Sequence, residues 1–169
     1  MQRWSHLVPT GASVLDVACG SGRHVRWFAE RGCTVTGIDR DADALAALND
    51  VAHTVIADIE NGPWPLPGLQ FDAVVVTNYL WRALLPTLTG SLKPGGVLIY
   101  ETFAEGNASV GKPSNPQFLL HTAELLKAAD GLRVVAFEEG FLDAPARFVQ
   151  RLVAVRETAP RSQPTRYPL

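Results

Sequence analysis

The feature that most constrains the fold is an apolar strand that runs directly into a glycine-rich turn near the N-terminus. The segment 14–17 is apolar except for Asp16, and Gly20 and Gly22 follow it before a helix-like segment. Glycines allow a tight backbone turn and the close approach of a ligand. The helix after the turn directs its free N–H groups and the positive end of its dipole toward that ligand. This strand–turn–helix unit therefore predicts a cofactor site at the carboxyl edge of a parallel sheet.

The rest of the chain alternates between strand-like and helix-like segments. Apolar runs, several of them rich in β-branched residues, predict strands at 13–17, 33–38, 53–57, 71–77 and 97–101. Helical periodicity predicts helices at 21–31, 41–49, 86–92 and 123–129. Two more strands, at 132–138 and 148–156, are joined by a short turn at 140–145, which predicts an antiparallel hairpin. We therefore predict a three-layer α/β fold with a mostly parallel sheet that ends in this hairpin.

Composition limits the classes of protein to which the chain can belong. The 169 residues, 47% of them apolar, fit a single domain, which we assign to residues 1–157. The proline-rich polar tail at 158–169 is predicted to be flexible. A formal charge of −2 disfavours a nucleic-acid partner. No apolar run approaches the roughly 20 residues that cross a bilayer, so no membrane association is predicted.

The cysteines and histidines do not predict a metal centre or a disulfide. Cys19 and Cys33 lack the spacing of a zinc or disulfide framework, and no two histidines have metal-ligand spacing. Unpaired cysteines and the lack of a signal-like N-terminus together predict a cytoplasmic protein with no bound metal.

The identity of the cofactor depends on the residues after the glycine turn. A dinucleotide fingerprint requires a third glycine, and that position is occupied by Val25. Asp39 ends the second predicted strand, where a carboxylate can accept both hydrogen bonds of a ribose diol. These features favour a nucleoside without a pyrophosphate, while a nicotinamide-dependent oxidoreductase remains the alternative.

A set of motifs in a fixed order links the chain to a known family. The motifs are Leu15–Gly22, Gly37–Asp39, Ala57–Glu60, Phe71–Val75 and Leu92–Gly96. Over roughly residues 11–157 the chain resembles the class I S-adenosylmethionine-dependent methyltransferases, and among them small bacterial enzymes of the tellurite-resistance-like group. The resemblance implies a Rossmann-like methyltransferase sheet, S-adenosylmethionine as cofactor, and transfer of a methyl group to a small-molecule acceptor by in-line displacement.

The resemblance also implies roles for residues around the first turn. Gly20 and Gly22 are expected beneath the methionine part of the cofactor, with Ala18 in the same turn and Asp16 near the amino group. Asp39 is expected to hold the ribose hydroxyls. For Asp16 the competing hypothesis is local: its carboxylate anchors the turn through backbone N–H groups.

Further residues are expected along the same sheet edge. Arg40 is expected along the adenine face, Asp58 as acceptor for the adenine amino group, and the Ile59 N–H as donor to the ring. Thr77 and Asn78 are expected to line the methionine and methyl region. Asp58 has a local alternative as well, since it can cap the loop after the third strand.

The acceptor pocket is predicted to form from the segments that follow strands four and five. The candidate catalytic residues are Tyr79, Arg82 and His121, and an anionic acceptor is expected to bind Arg82 or Lys112. The long connection 102–122 is interpreted as a lid. A third hypothesis is a non-catalytic cofactor-binding subunit that requires a partner protein.

Overall fold

A seven-stranded sheet forms the centre of the computed structural model, which describes residues 2–158 and 165–169. The strands are β1 (Ser13–Val17), β2 (Thr34–Asp39), β3 (His53–Ile56), β4 (Phe71–Thr77), β5 (Leu92–Phe103), β6 (Arg133–Asp143) and β7 (Ala146–Val155). The helices are α1 (Arg23–Glu30), α2 (Ala42–Ala46), α3 (Leu85–Gly90) and α4 (Glu124–Ala128).

The order of strands across the sheet is β3-β2-β1-β4-β5-β7-β6. Strands β1 to β5 pair in parallel, and β7 pairs antiparallel with both β5 and β6. The chain runs outward from β1 to β3 and then returns to place β4 on the other side of β1. Ligands of such sheets bind outside the carboxyl ends of the strands at this reversal. The predicted mostly parallel sheet with a terminal hairpin is confirmed.

Alternate strand residues bury themselves in two separate core layers. One layer packs Val14, Val75 and Ile99 against Phe28 of α1 and Leu45 of α2. The layer on the opposite face packs the following set against α3 and α4: Leu15, Val74, Val76, Leu98, Tyr100, Leu88 and Leu125. Because the central strands β1 and β4 are covered on both faces, their sequences are almost continuously apolar. The three-layer prediction is confirmed.

The boundaries differ most at β5 and at the hairpin. The predicted helix 86–92 ends at Gly90, and β5 begins at Leu92 rather than at Val97. The chain bulges there, and the Lys93 ammonium donates to the Asp72 carboxylate at 2.8 Å. β6 continues to Asp143, so the hairpin turn is much shorter than the predicted 140–145.

The N-terminus of α2 follows a local rule of helix capping. Asp41 caps α2 as its position predicts, since its side chain accepts from the N–H groups of Asp43 at 3.1 Å and Ala44 at 3.0 Å. Within residues 2–158 and 165–169, no helix is long and apolar enough to cross a membrane. The predicted flexibility at 158–169 falls largely on residues 159–164, which lie outside the described residues, and the assignment of one domain to 1–157 stays a prediction.

Candidate cofactor and acceptor site

The turn after β1 gives its two glycines different tasks. Both have positive φ, 52° at Gly20 and 76° at Gly22, where Gly22 precedes α1. A Cβ on Gly22 would lie 2.4 Å from the methyl carbons of Leu48, whereas a Cβ on Gly20 would meet nothing within 4 Å. Gly22 therefore lets the start of α1 pack against the end of the α2 segment. Gly20 leaves open space in front of the turn.

Asp39 is held in place by the backbone at the end of β2. Its Oδ2 accepts from the Gly20 N–H at 2.7 Å, and its Oδ1 accepts from the Asp41 N–H at 3.0 Å. Each carboxylate oxygen has further acceptor capacity. The pair of oxygens is thus oriented before any ligand arrives, with capacity left for two hydroxyl donors.

Asp16 is a buried carboxylate without a counterpart. It is 1% exposed, and neither oxygen completes a hydrogen bond among the described residues. The hypothesis that it anchors its own turn is therefore supported by no completed hydrogen bond, and the Val25 N–H at the start of α1 is a local donor that approaches it. Burial raises the pKa of Asp16 to about 7, an effect that the nearby Val25 N–H and Arg23 oppose only in part. Such a group is suited to a cationic ligand that supplies the missing charge and hydrogen bonds.

A first cavity, of about 210 Å³, lies at the carboxyl ends of β1 to β3. The lining residues are Ala18, Asp39, Arg40, Ala57, Asp58, Ile59, Glu60 and Tyr79. The predicted residues Ala18, Asp39, Arg40, Asp58 and Ile59 are therefore brought together around one space. Their contacts with a cofactor stay predictions.

Asp58 also has the local role that its position allows. Its Oδ1 accepts from the N–H groups of Glu60 at 3.0 Å and Asn61 at 3.1 Å, and its Oδ2 accepts from Asn61 Nδ2 at 2.9 Å. These hydrogen bonds, led by the Asn61 side chain, lower the pKa of Asp58. The carboxylate thus caps the loop and lines the first cavity at the same time.

A buried histidine lies beside the end of β4. His24 Nδ1 and Thr77 Oγ1 are hydrogen-bonded at 3.2 Å, and burial lowers the pKa of His24 to about 4. His24 is therefore neutral at pH 7. Its partner Thr77 is one of the residues expected in the methionine region.

A second cavity, of about 280 Å³, adjoins the first. It is lined by Glu60, Asn78, Tyr79, Leu80, Thr102, Phe103, Pro113 and Phe118. These residues follow β3 and β4, end β5, or belong to the connection after β5. The acceptor pocket was predicted from the segments after strands four and five, and this space lies there.

Tyr79 separates the two cavities. Its side chain is half-buried, and its buried hydroxyl oxygen meets the Glu60 carboxylate as a close neighbour without completing a well-aligned hydrogen bond among the described residues. Burial, followed by the neighbouring Glu60 carboxylate, raises the pKa of Tyr79, so the phenol stays protonated at neutral pH. Of the three predicted catalytic residues, Tyr79 is the one that lines these two cavities.

Arg82 and His121 have other partners. The Arg82 guanidinium donates to both Glu124 carboxylate oxygens at 2.7 and 2.9 Å, and to the carbonyls of Gln117 at 2.7 Å and Leu119 at 2.8 Å. His121 is exposed and its Nδ1 donates to Glu105 at 2.5 Å. The structure thus gives Arg82 a structural role that fastens the connection after β5, and it leaves His121 at the surface.

Sequence reasoning missed two residues of the second cavity. Glu60 stands in the motif after β3 but was given no role, although its position two residues after Asp58 places it at the same sheet edge. Phe118 lies in a segment without periodicity, so no pattern marked it. Lys112, which was expected to bind an anion, is exposed and forms no salt bridge within the described part of the chain.

The comparisons with known proteins agree with this geometry. Residues 14–96 match the methyltransferase domain family. Malonyl-[acyl-carrier protein] O-methyltransferase of Enterobacter lignolyticus is 36% identical over 140 residues, which cover 72% of this chain and 54% of that protein. Together these matches support a class I S-adenosylmethionine-dependent methyltransferase. It spans about half the length of the curated relatives that it matches.

Solved structures show the same methyltransferase fold. TehB from Haemophilus influenzae superposes with a TM-score of 0.73 at 20% identity, covering 90% of this chain and 60% of that one. An S-adenosylmethionine-dependent methyltransferase from Mesorhizobium loti gives 0.70 at 20% identity, with coverage of 92% and 96%. The resemblance seen in the sequence is confirmed at the level of the family. The methyltransferase match argues against the alternative of a nicotinamide-dependent oxidoreductase. The structure agrees with this, because Val25, at the position of the third glycine of a dinucleotide fingerprint, is buried in the core.

Proposed function

We propose that this methyltransferase transfers the methyl group of S-adenosylmethionine to a small molecule bound in the second cavity. The observation that carries the proposal is that the two cavities share Glu60 and Tyr79. A nucleoside held in the first cavity has a second space directly beside it. Transfer between two bound molecules requires this adjacency.

The residues of the first cavity fit the cofactor group by group. Asp39 has the orientation and the free acceptor capacity for the ribose hydroxyls. Asp58 and the Ile59 backbone fit the adenine edge, and Arg40 fits the adenine face. Asp16, which is not among the residues that line the first cavity, offers an unpartnered carboxylate for the cofactor's ammonium group. Arg40 is the single cation among the described residues that line the first cavity, so the cavity offers no cluster of basic side chains for a pyrophosphate.

The remaining predicted residues fit the methionine end. Gly20 leaves the open space in which that end can lie, and Gly22 keeps α1 packed behind it. Thr77, hydrogen-bonded to neutral His24 at the end of β4, and Asn78, which follows it and lines the second cavity, fit the methyl region.

The protein's contribution to the chemistry is position and exclusion of water. The sulfonium of the cofactor supplies an activated methyl carbon. Holding the accepting atom in line at about 3–3.5 Å accounts for roughly 7–11 kcal/mol of a displacement barrier. The side chains of Tyr79, Phe103 and Phe118 line the second cavity and displace water from it. A general base is required only when the accepting atom is protonated.

The proposed acceptor is a small molecule rather than nucleic acid. The proposed setting is a reducing environment, which favours free cysteines. Cys19 and Cys33 are both free. The second cavity has room for a small organic molecule or for the end of a longer one.

Calorimetric titration with S-adenosylhomocysteine tests the cofactor site. Asp39→Ala is expected to weaken binding at least tenfold, because hydrogen bonds to a charged acceptor contribute about 1.5–3 kcal/mol each. Asp50→Ala, at an exposed position after α2, is the matched control and is expected to bind like the wild type.

Release of S-adenosylhomocysteine in the presence of small thiols, oxyanions, carboxylic acids and amines then tests turnover. The proposal would be overturned if the cofactor gave no heat on titration and no thermal shift while NADH bound. Tight cofactor binding without turnover on any acceptor would instead support the partner-dependent subunit.

A further inference from the structure

The charge of the second cavity narrows the chemistry of the molecules it can hold. Among the described residues that line it, Glu60 alone carries a formal charge. No salt bridge reaches the Glu60 carboxylate within residues 2–158 and 165–169. The cations expected to bind an anionic acceptor are not in the lining, since Arg82 is bound to Glu124 and Lys112 is exposed.

The neighbouring groups do not reverse this charge. The first cavity adds the carboxylates of Asp39 and Asp58 and the guanidinium of Arg40. Negative groups thus outnumber positive ones around the shared boundary. An anionic acceptor beside Glu60 would lose its hydration and face a like charge, whereas a cation would be attracted.

The walls of the second cavity are aromatic and apolar. Tyr79, Phe103 and Phe118 contribute rings, and Leu80 and Pro113 contribute aliphatic surface. Aromatic faces attract ammonium groups, and they also pack against apolar carbon. The buried Tyr79 hydroxyl has the Glu60 carboxylate as its neighbour and completes no other hydrogen bond among the described residues, so both groups face one polar ligand at the boundary between the two cavities.

We propose that the acceptor is an amine carried on an aromatic or apolar body, with Glu60 as its counter-ion and Tyr79 as its hydrogen-bond partner. This inference rests on the proposed methyl transfer and names its substrate class. It assigns Glu60 a role in selecting the substrate, and it replaces the anionic acceptor that the sequence led us to expect.

The reaction balances without a further reactant. The bound ammonium loses one proton to water, which frees the nitrogen lone pair. That pair forms the new N–C bond while the C–S bond breaks and its electrons stay on sulfur as a neutral thioether. The nitrogen then carries the positive charge, so the product still faces Glu60.

Direct binding of matched probes tests the inference without turnover. The probes are 2-phenylethylamine, its neutral isostere 2-phenylethanol and the anion phenylacetate, each titrated into the full chain at pH 7 with S-adenosylhomocysteine present. The amine is expected to bind at least tenfold more tightly than the alcohol, and phenylacetate more weakly than either. Glu60→Gln is expected to weaken amine binding about tenfold and to leave the alcohol unchanged.

Two controls separate failure of this inference from failure of the proposed function. Glu30→Gln, an exposed position at the end of α1, is the matched charge control and is expected to bind all three probes like the wild type. The affinity for S-adenosylhomocysteine is measured for every variant, and in Glu60→Gln it is expected to fall by a smaller factor than the amine affinity does, since Glu60 also lines the first cavity.

The inference is overturned if phenylacetate binds as tightly as the amine, or if Glu60→Gln keeps the preference for the amine. It is also overturned if cofactor affinity falls as far as amine affinity does, because Glu60 then serves the cofactor. Absence of cofactor binding in the wild type would contradict the proposed function itself, whichever probe binds.

Discussion

The two halves of the molecule treat their least exposed carboxylates in opposite ways. In the cofactor half, residues 13–60, Asp16 is buried and has no partner in the described structure. In the acceptor half, residues 71–155, Glu124 is bound bidentately by Arg82, and Glu101 is held by Arg147 at 3.1 Å and Arg151 at 2.8 Å. A paired carboxylate stabilises the fold that surrounds it, while an unpaired one destabilises the fold until a ligand arrives. The contrast distinguishes a carboxylate that is available to bind a ligand from carboxylates that stabilise the fold.

The halves also differ in how far along the chain their polar contacts reach. Asp58 is oriented by N–H groups two and three residues away, and Asp39 by Asp41 and by Gly20 in the neighbouring turn. In the acceptor half, Arg82 reaches the carbonyls of residues 117 and 119, and Gln150 accepts from the Leu125 N–H at 3.0 Å. The first site is assembled by local turns, and the second by contacts between distant segments.

The largest effect is expected from breaking the packing of the cofactor half. Gly22→Ala forces φ of 76° on a residue with a Cβ, and places that Cβ 2.4 Å from Leu48. We expect a loss of about 2–5 kcal/mol in the free energy of unfolding, from a left-handed backbone and overpacking together. Urea unfolding measures it. Gly11→Ala, with φ of 80° and nothing within 4 Å, is the control and is expected to lose only about 1–2 kcal/mol.

A smaller effect, of opposite sign, is expected from neutralising Asp16. Because its folded pKa is raised from 3.8 to about 7, stability falls as pH rises between these values. Asp16→Asn is therefore expected to stabilise the free protein at pH 8 by about 2 kcal/mol, roughly half of the cost of ionising the buried group. The gain is expected to shrink as pH falls toward 4. Thermal unfolding at pH 5 and pH 8 measures it, and a destabilised Asp16→Asn at pH 8 would contradict the account of an unpaired charge.

The same variant sharpens the comparison on the binding side. If Asp16 is kept for a cationic ligand group, Asp16→Asn binds S-adenosylhomocysteine more weakly although it is more stable. An increase in both stability and affinity would mean that the two halves do not differ in this respect.

The smallest effect is expected in the acceptor half. Arg82→Met removes the contacts that fasten residues 117–124 while keeping the aliphatic stem of the side chain. Because the pair is partly exposed, we expect a loss of only about 1–2 kcal/mol. Amide hydrogen exchange is expected to accelerate within 113–124, while affinity for S-adenosylhomocysteine stays within twofold. Loss of cofactor affinity to the same degree as loss of protection would show that the halves are coupled.

The fold and the residues around the first cavity could be predicted from sequence patterns, because both depend on local rules. β1 and β4 lie where their apolar runs predicted, and Asp41 caps α2 as its position required. β5 was predicted too short, because Lys93 to Gly96 resemble a turn and only pairing with β4 carries the strand through them. The strands of the hairpin were predicted to end too early at its tip. There the ring centroids of Phe141 and Phe148 lie 4.9 Å apart, and the two strands stay paired beyond Gly140.

By itself the amino-acid sequence determined the resemblance to the family, the mostly parallel sheet with its terminal hairpin, and the carboxylates that follow β2 and β3, since motifs, backbone turns and periodicity act over a few residues. Only the tertiary structure decided that Arg82 binds Glu124 rather than a ligand, that Gly22 accommodates Leu48, and that Glu60 and Tyr79 stand between two cavities. Those outcomes depend on which distant segments meet, and a charge or a ring along the chain has the same appearance whether it faces a partner, a cavity or water.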